Sequence, residues 1–291
     1  MPGRKVAAII VLTAVLSATV AGTWAQDLSK VDLSKSDDSK NGLSKYPDWS
    51  GQWLRIGGIQ WDPSKPLGAA QQPPLTPEYQ AIFDASLADQ SHGGQGNNAR
   101  FTCIPHGMPR AMTATFPFEV IITPKITYIL FENQPDRRIY TDGRDWPQNL
   151  EPAFAGYSVG QWGEQADGRF DVLEVETRNM KGPRDFDTSG LPVHEDNQTV
   201  VKEKIYLDPS KPDVLHDEVT TIDHALTRPW TVTKSYRRER NPIWFDNNCA
   251  ENNNHVVIGK ENYFLSADGL LMPAKKDQAP PDLRYFKSSG K

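Results

Sequence analysis

The chain is 291 residues long, carries a formal net charge of −5 and shows no basic stripe, which excludes nucleic acid as a partner, because neutralising phosphates takes clustered Lys and Arg. Its 23 prolines are scattered and 10% of its residues are aromatic, a composition that disfavours long helices and favours aromatic-rich strands.

The N-terminus reads as an export signal. Arg4 and Lys5 precede an apolar run from Val6 to Ala21, and Thr23 and Ala25 supply the small residues of a cleavage point. The apolar run, roughly 15 residues, is shorter than a bilayer of about 30 Å requires. The expectation is therefore a cleaved leader over 1–25, no stable membrane anchor afterwards, and a mature protein in the periplasm or the medium; a permanent N-terminal anchor is the alternative. In such an oxidising compartment Cys103 and Cys249 are expected to pair. That bond would close a loop of roughly 145 residues, worth up to about 5 kcal/mol. Two free buried thiols, or one reactive thiol, are the alternatives.

Residues 26–46 repeat Leu-Ser-Lys at 28–30, 33–35 and 43–45. The stretch is charged and too poor in apolar surface to fold alone, so it reads as a disordered linker. One β-rich domain is expected over 47–291. Asp48 to Trp53 reads as its opening strand. Thr76-Pro77-Glu78 gives an N-cap, a proline in the first turn and an acidic start, and Tyr79, Ile82, Phe83 and Leu87 follow at helical spacing. These residues predict a helix from Pro77 to Leu87, ended by the Gly-rich stretch 91–98.

From Glu119 the period changes to two. Val120–Ile122 and Ile126–Phe131 flank a Thr-Pro-Lys turn as a hairpin. Arg138–Thr141 leads into the turn signal Asp142-Gly143. Tyr157–Trp162, Phe170–Thr177, Thr199–Leu207, Val214–Ile222 and Trp230–Tyr236 continue the series, and His255–Ile258 with Tyr263–Leu265 are expected to close it. Successive strands without helical inserts predict a mainly β fold: an antiparallel meander forming a barrel or sandwich, with one short N-terminal helix.

Several blocks then stand out. They are Arg137-Arg138-Ile139-Tyr140-Thr141-Asp142-Gly143-Arg144, Gly156-Tyr157-Ser158-Val159-Gly160-Gln161-Trp162, Leu173-Glu174-Val175-Glu176-Thr177, Leu226-Thr227-Arg228-Pro229-Trp230-Thr231-Val232 and Cys249-Ala250-Glu251-Asn252. Together they resemble an uncharacterised family of secreted bacterial proteins. The resemblance covers most of the folded part and implies export, but supplies no activity; its members commonly carry His at the position of Tyr157. Gly51-Gln52-Trp53 is similar to the G-x-W motif of the calycins, the lipocalin-like barrels. That likeness implies a Trp plugging one barrel end and packing on a basic side chain.

Three constellations offer chemistry. Tyr140, Asp142, Arg144 and Asp145 can grip a polar ligand group, Arg144 by parallel hydrogen bonds to a carboxylate or phosphate. The structural alternative is that Arg144 pairs with a neighbouring acid. His194 and Glu195, with Asp196, combine imidazole and carboxylate for proton transfer or for binding a divalent metal, though at no metalloenzyme spacing, or serve as a polar capping loop. Asp223-His224 offers a second such pair, yet neighbours on a strand point to opposite faces, so a partner such as His194 or Glu195 is expected for His224. Arg228 and Trp230 form either a ligand platform or a surface clasp.

No H-E-x-x-H, P-loop, dinucleotide or nucleophile-elbow motif is present. No metal site is assigned, and the sequence identifies no cofactor. The leading expectation is an exported barrel that binds a small molecule, with Tyr140, Asp142, Arg144, Tyr157, Arg228 and Trp230 as contacts. The second is a hydrolase, lyase or isomerase using His194 or His224, with Glu195 and Asp223, as acid and base. The third is an assembly factor that works through exposed strand edges.

Overall fold

The computed structural model describes residues 42–244, 255–258, 260–266 and 270–282. The expected leader over 1–25, most of the expected linker, and Cys249 with the block that begins there lie outside the described residues. Nine strands close into one barrel. They are β1 (Gln52–Arg55), β2 (Phe118–Ile122), β3 (Ile126–Phe131), β4 (Arg137–Tyr140), β5 (Tyr157–Glu164), β6 (Phe170–Arg178), β7 (Val200–Asp208), β8 (Lys211–Ile222) and β9 (Trp230–Glu239). β1 pairs with β9, Gln52 opposite Glu239 and Arg55 opposite Tyr236, which completes the ring.

Two expectations are corrected here. The meander is not antiparallel throughout: β4 and β5 run parallel, Ile139 opposite Ser158. Nine is odd, so strict alternation of direction around a closed ring is impossible and one parallel pair is required. A parallel pair needs a crossover of a dozen or more residues, and residues 141–156 supply it. The C-terminal strands do not close the barrel either. β10 (His255–Ile258), β11 (Glu261–Leu265) and β12 (Leu271–Pro273) form a separate three-stranded sheet, because β1 and β9 already satisfy each other's edges.

The predicted helix, α1 (Pro77–Ser91), runs about a turn beyond Leu87, with Thr76 Oγ1 accepting from Tyr79 N–H at its start. The chain is also fixed on the barrel before Pro47: Phe170 N–H donates to Lys45 O at 2.7 Å, and the Tyr46 ring lies 4.8 Å from Phe170.

Strand registers sort the connections by end. Residues 56–117 with α1, 132–136, 179–199 and 223–229 leave one end, whereas 123–125, 165–169 and 209–210 are tight turns at the other. Aromatic clusters plug both ends. At the tight-turn end the Trp49 and Trp162 rings are 5.0 Å apart, Trp53 Nε1 donates to Trp49 O, and the Arg238 guanidinium carbon sits 4.6 Å from the Trp53 ring centre. That Trp-on-cation packing is the one implied by Gly51-Gln52-Trp53. At the long-loop end Trp61, Phe186 and Trp230 pack together, with Lys234 Nζ 4.2 Å from the Trp61 ring.

Alternation along the strands sends Ile129, Ile139, Leu173, Val175, Val201, Ile205, Leu215 and Val219 into the core. It also sends charges inward. Arg137 grips both carboxylate oxygens of Glu203 and donates to Thr177 Oγ1 at 2.7 Å and Ser158 Oγ at 3.3 Å. Asp217 and Lys234 face each other across β8 and β9 and are also buried. Burial, reinforced by the Glu203 charge, pushes the Asp217 carboxyl well up, while burial pushes the Lys234 ammonium down to about 7.

A buried pair of this kind is costly to break singly, because the survivor keeps its desolvation penalty. Glu203→Gln is expected to lower the unfolding free energy by about 3–5 kcal/mol in urea denaturation, and the double change Arg137→Met, Glu203→Leu to recover most of it.

A second buried cluster joins the 56–117 segment to the 179–199 loop: Arg110 donates to both oxygens of Asp185, at 2.5 and 2.6 Å. Burial pushes Asp185 up to about 6 in spite of that partner. His106 is pushed down to about 3, by burial first and then by the Arg110 and Arg100 charges. It is therefore neutral in the fold and protonates in the unfolded chain below about pH 6.5. The stability it supports is present above pH ~6.5 and is lost as pH falls toward 3. Between pH 7 and 4 the wild type is expected to lose roughly 3 kcal/mol relative to His106→Gln, read as urea midpoints at the two pH values.

Candidate functional site

The sequence-nominated residues fall into two places, one on the outer wall under the crossover and one at the long-loop end, with Trp230 and Arg228 in neither. Trp230 belongs to the core plug against Trp61 and Phe186, and Arg228 is exposed in the turn before it.

The first place is built by the parallel pair. Tyr140 ends β4 and Tyr157 begins β5, and their rings stack at 4.9 Å and 26°. Gly156 makes this approach possible: its φ is +69°, and a Cβ there would sit 2.5 Å from Met180 Cγ and 2.7 Å from Arg178 O. The crossover folds back over the pair. The Arg144 guanidinium lies 3.9 Å from the Tyr140 ring centre, and Nη1 donates to Tyr157 Oη at 3.4 Å.

Asp142 takes the fork of Arg144, Nε to Oδ1 at 2.8 Å and Nη2 to Oδ2 at 2.7 Å. The Arg144 partner holds the Asp142 carboxyl down at about 2. A carboxylate or phosphate ligand would have to displace Asp142, so the neighbouring-acid alternative describes Arg144. On the other side of Tyr157 lie Trp146, 6.0 Å away, and Arg178, 4.8 Å from the Trp146 ring. Trp146 and Arg178 were not singled out from the sequence. Their only signal was an aromatic in the crossover and a cation at the end of β6.

Two concavities meet this stack. One, about 860 Å³, runs along the outer wall of β5–β8 and is lined by Arg144, Val159, Gln161, Glu174, Lys204 and others. The second, about 400 Å³, is lined by Trp146, Tyr157, Asn149, Asn179, Asn197 and Gln198, among others. Both open on the outside of the barrel. The wall of the larger one is a ladder of opposed charges, Glu174 opposite Lys204 and Glu176 opposite Lys202, the usual dress of a solvated strand face. The smaller one combines aromatic faces with side-chain amides.

The second place is built by the β7–β8 hairpin. Val200 pairs with Ile222, so the residues just before β7 and just after β8 are neighbours. His194 and Asp196 come from the first flank, His224 from the second. His224 Nδ1 donates to Asp196 Oδ2 at 2.5 Å, and His194 Nδ1 lies 3.1 Å from Asp196 Oδ1. The imidazole rings meet edge-on at 5.5 Å. The expected cross-flank partner of His224 is thus present, but it is Asp196.

Glu195 is exposed and contributes its backbone N–H to Tyr79 Oη. Asp223 acts on the backbone instead of on an imidazole. Its Oδ1 accepts from His194 N–H at 2.9 Å and Ala225 N–H at 2.8 Å, and its Oδ2 accepts from Thr199 Oγ1. One buried carboxylate therefore staples the two flanks together. Tyr79 of α1 stacks on His194 at 5.0 Å. Burial pushes the Asp196 carboxyl up, but hydrogen bonds from Gln198 N–H and His224 hold it below its ordinary value.

Comparison with family models, with characterised proteins and with solved structures finds no match.

Asp223→Ala removes an acceptor from three buried donors at once. It is expected to cost roughly 2–3 kcal/mol of stability and to broaden or shift the His194 and His224 imidazole resonances in NMR, whereas Glu195→Ala is expected to leave both unchanged.

Proposed function

We propose that this is an exported β-barrel protein that binds a small molecule with a ring face, seated against Tyr157 in the amide-lined concavity. The observation that carries the reading is the run of contacts Arg144–Tyr140–Tyr157–Trp146–Arg178, in which the two tyrosines stack and Trp146 meets Tyr157 at 56°, beside an open concavity that Tyr157 and Trp146 both line. Aromatic faces recognise rings by dispersion and quadrupole contact, and Asn149, Asn179, Asn197 and Gln198 offer neutral donors and acceptors to the rim of such a ring. With Arg144 already neutralised by Asp142, the chemistry favours an uncharged polar ligand over an anionic one. Export rests on the leader pattern at 1–25, and the Cys103–Cys249 bond belongs with it; the Gly51-Gln52-Trp53 likeness to the calycins agrees with a binding role.

The enzyme reading rests on a separate observation, the carboxylate of Asp196 held between two imidazoles. The assembly reading has less support, because barrel closure leaves strand edges, among the described residues, only on the small C-terminal sheet.

Native mass spectrometry of the chain produced in an exporting host tests the proposal. The expected species begins after Ala25, is short by two protons for the disulfide, and carries a defined extra mass that is lost on denaturation. Tyr157→Ala and Trp146→Ala are expected to lose that mass while keeping the wild-type melting temperature within a few degrees. A bare wild-type mass from both the exporting host and the native cell extract, or ligand retained by both variants, would overturn it.

A further inference from the structure

We propose that His194, Asp196 and His224 form a binding site for one divalent first-row transition-metal ion of the zinc class. This inference is independent of the ligand seat at Tyr157. The three side chains offer two imidazole nitrogens and a carboxylate oxygen, all within 4.8 Å of one another. Two nitrogens and one oxygen suit zinc and its neighbours and disfavour calcium or magnesium, which select all-oxygen sets.

The orientation of the donors is the stronger argument. The backbone N–H of Asp196 donates to His194 Nδ1 at 3.1 Å. That nitrogen therefore presents its lone pair to the cluster, and the ring proton of the neutral imidazole sits on Nε2. Asp196 Oδ1, also a lone-pair atom, stands 3.1 Å from it. Two acceptors facing each other at that distance repel unless a cation lies between or beside them. A metal drawing on Nδ1 would replace the single backbone hydrogen bond made there.

The support around the donors is that of a held site. Asp223 pins the backbone of His194 and of the residue after His224, and Tyr79 covers one face of the His194 ring. Orienting shells of this kind fix ligand rings and are part of what gives metal sites their affinity. The His224 side chain is 68% exposed. Its hydrogen bond to Asp196 gives way to the metal, the Nδ1 proton passing to solvent, with a small rotation that brings the donors to metal-ligand spacing, and the same exposure leaves a coordination position open to water or a ligand oxygen. Three protein ligands plus an open position is the arrangement of reactive zinc sites as opposed to closed structural ones. The sequence places only the His194–Asp196 half of the site together, because His224 follows after residues 197–223 and the set matches no contiguous signature.

The test uses the full mature chain, stripped with a chelator and titrated with Co²⁺, whose visible d–d absorption reports coordination, and then with Zn²⁺ in competition. One equivalent of Co²⁺ is expected to give a band that Zn²⁺ abolishes, and Zn²⁺ is expected to raise the melting temperature. His224→Ala and Asp196→Asn, both at or near the surface, are expected to weaken binding at least about tenfold and to lose the thermal shift. His92→Ala, a change at the exposed end of α1, is expected to behave as wild type. No stoichiometric band in the wild type, or equal affinity in the wild type and in both site variants with their folds intact by circular dichroism, would overturn the proposal.

Discussion

The parity of the barrel governs much of this molecule. A closed ring of nine strands cannot alternate direction throughout, so β4 and β5 must run parallel. Parallel neighbours cannot be joined by a tight turn. The chain therefore spends residues 141–156 crossing back over the barrel wall. That crossover brings Asp142, Arg144 and Trp146 over the seam where Tyr140 and Tyr157 stack. Had an even number of strands closed the ring by simple hairpins, Asp142-Gly143 would have been an ordinary turn and no aromatic wall would have formed there. The ring-binding role proposed for Tyr157 is in this sense a consequence of strand count.

Closure also determines what the interior does. The inward positions hold an aliphatic core, the Arg137–Glu203 pair and the opposed Asp217 and Lys234, while aromatic plugs cover both ends. Charges buried this deeply oppose folding unless each finds a partner. Arg137 meets that condition by donating to Glu203, Thr177 and Ser158 together. The concavities beside the proposed ligand seat lie on the outer wall, the larger reaching Tyr46 and Phe170 near the tight turns and the smaller bordering the 179–199 loop. The division of labour follows: the strands provide a rigid frame, and the connections, the crossover among them, provide the chemistry.

The His194–Asp196–His224 cluster shows the same logic at smaller scale. The hairpin register fixes which loop residues meet, and one buried carboxylate, Asp223, converts that proximity into a held arrangement by accepting from both flanks. Adjacent residues Asp223 and His224 divide the work: the first points inward and organises the backbone, the second points outward and presents its imidazole. The alternation that forbids a direct pair between them is what allows a structural role and a chemical role to sit side by side.

Much of the frame was legible in the sequence. Period-two alternation located β2, β3 and β5 to β9 to within a few residues, and Thr76-Pro77-Glu78 announced α1, because side-chain period and capping are local properties of the chain. The same local signals nominated Tyr140, Asp142, Arg144, Tyr157, His194 and His224, since residue type reports chemistry wherever it lies. Long-range pairing was not legible. Strand count around the ring, the parallel seam and the exile of β10–β12 to their own sheet depend on which edges meet, a matter of register between distant segments. So do the choice of Asp196 over Glu195 as the carboxylate between the histidines, the use of Asp223 as a backbone staple, and the burial of Trp230 away from Arg228. Each is decided by how a side chain points once its neighbours are in place, so the sequence determined the elements and the inventory of reactive groups, and only the tertiary structure decided which of those groups share a site.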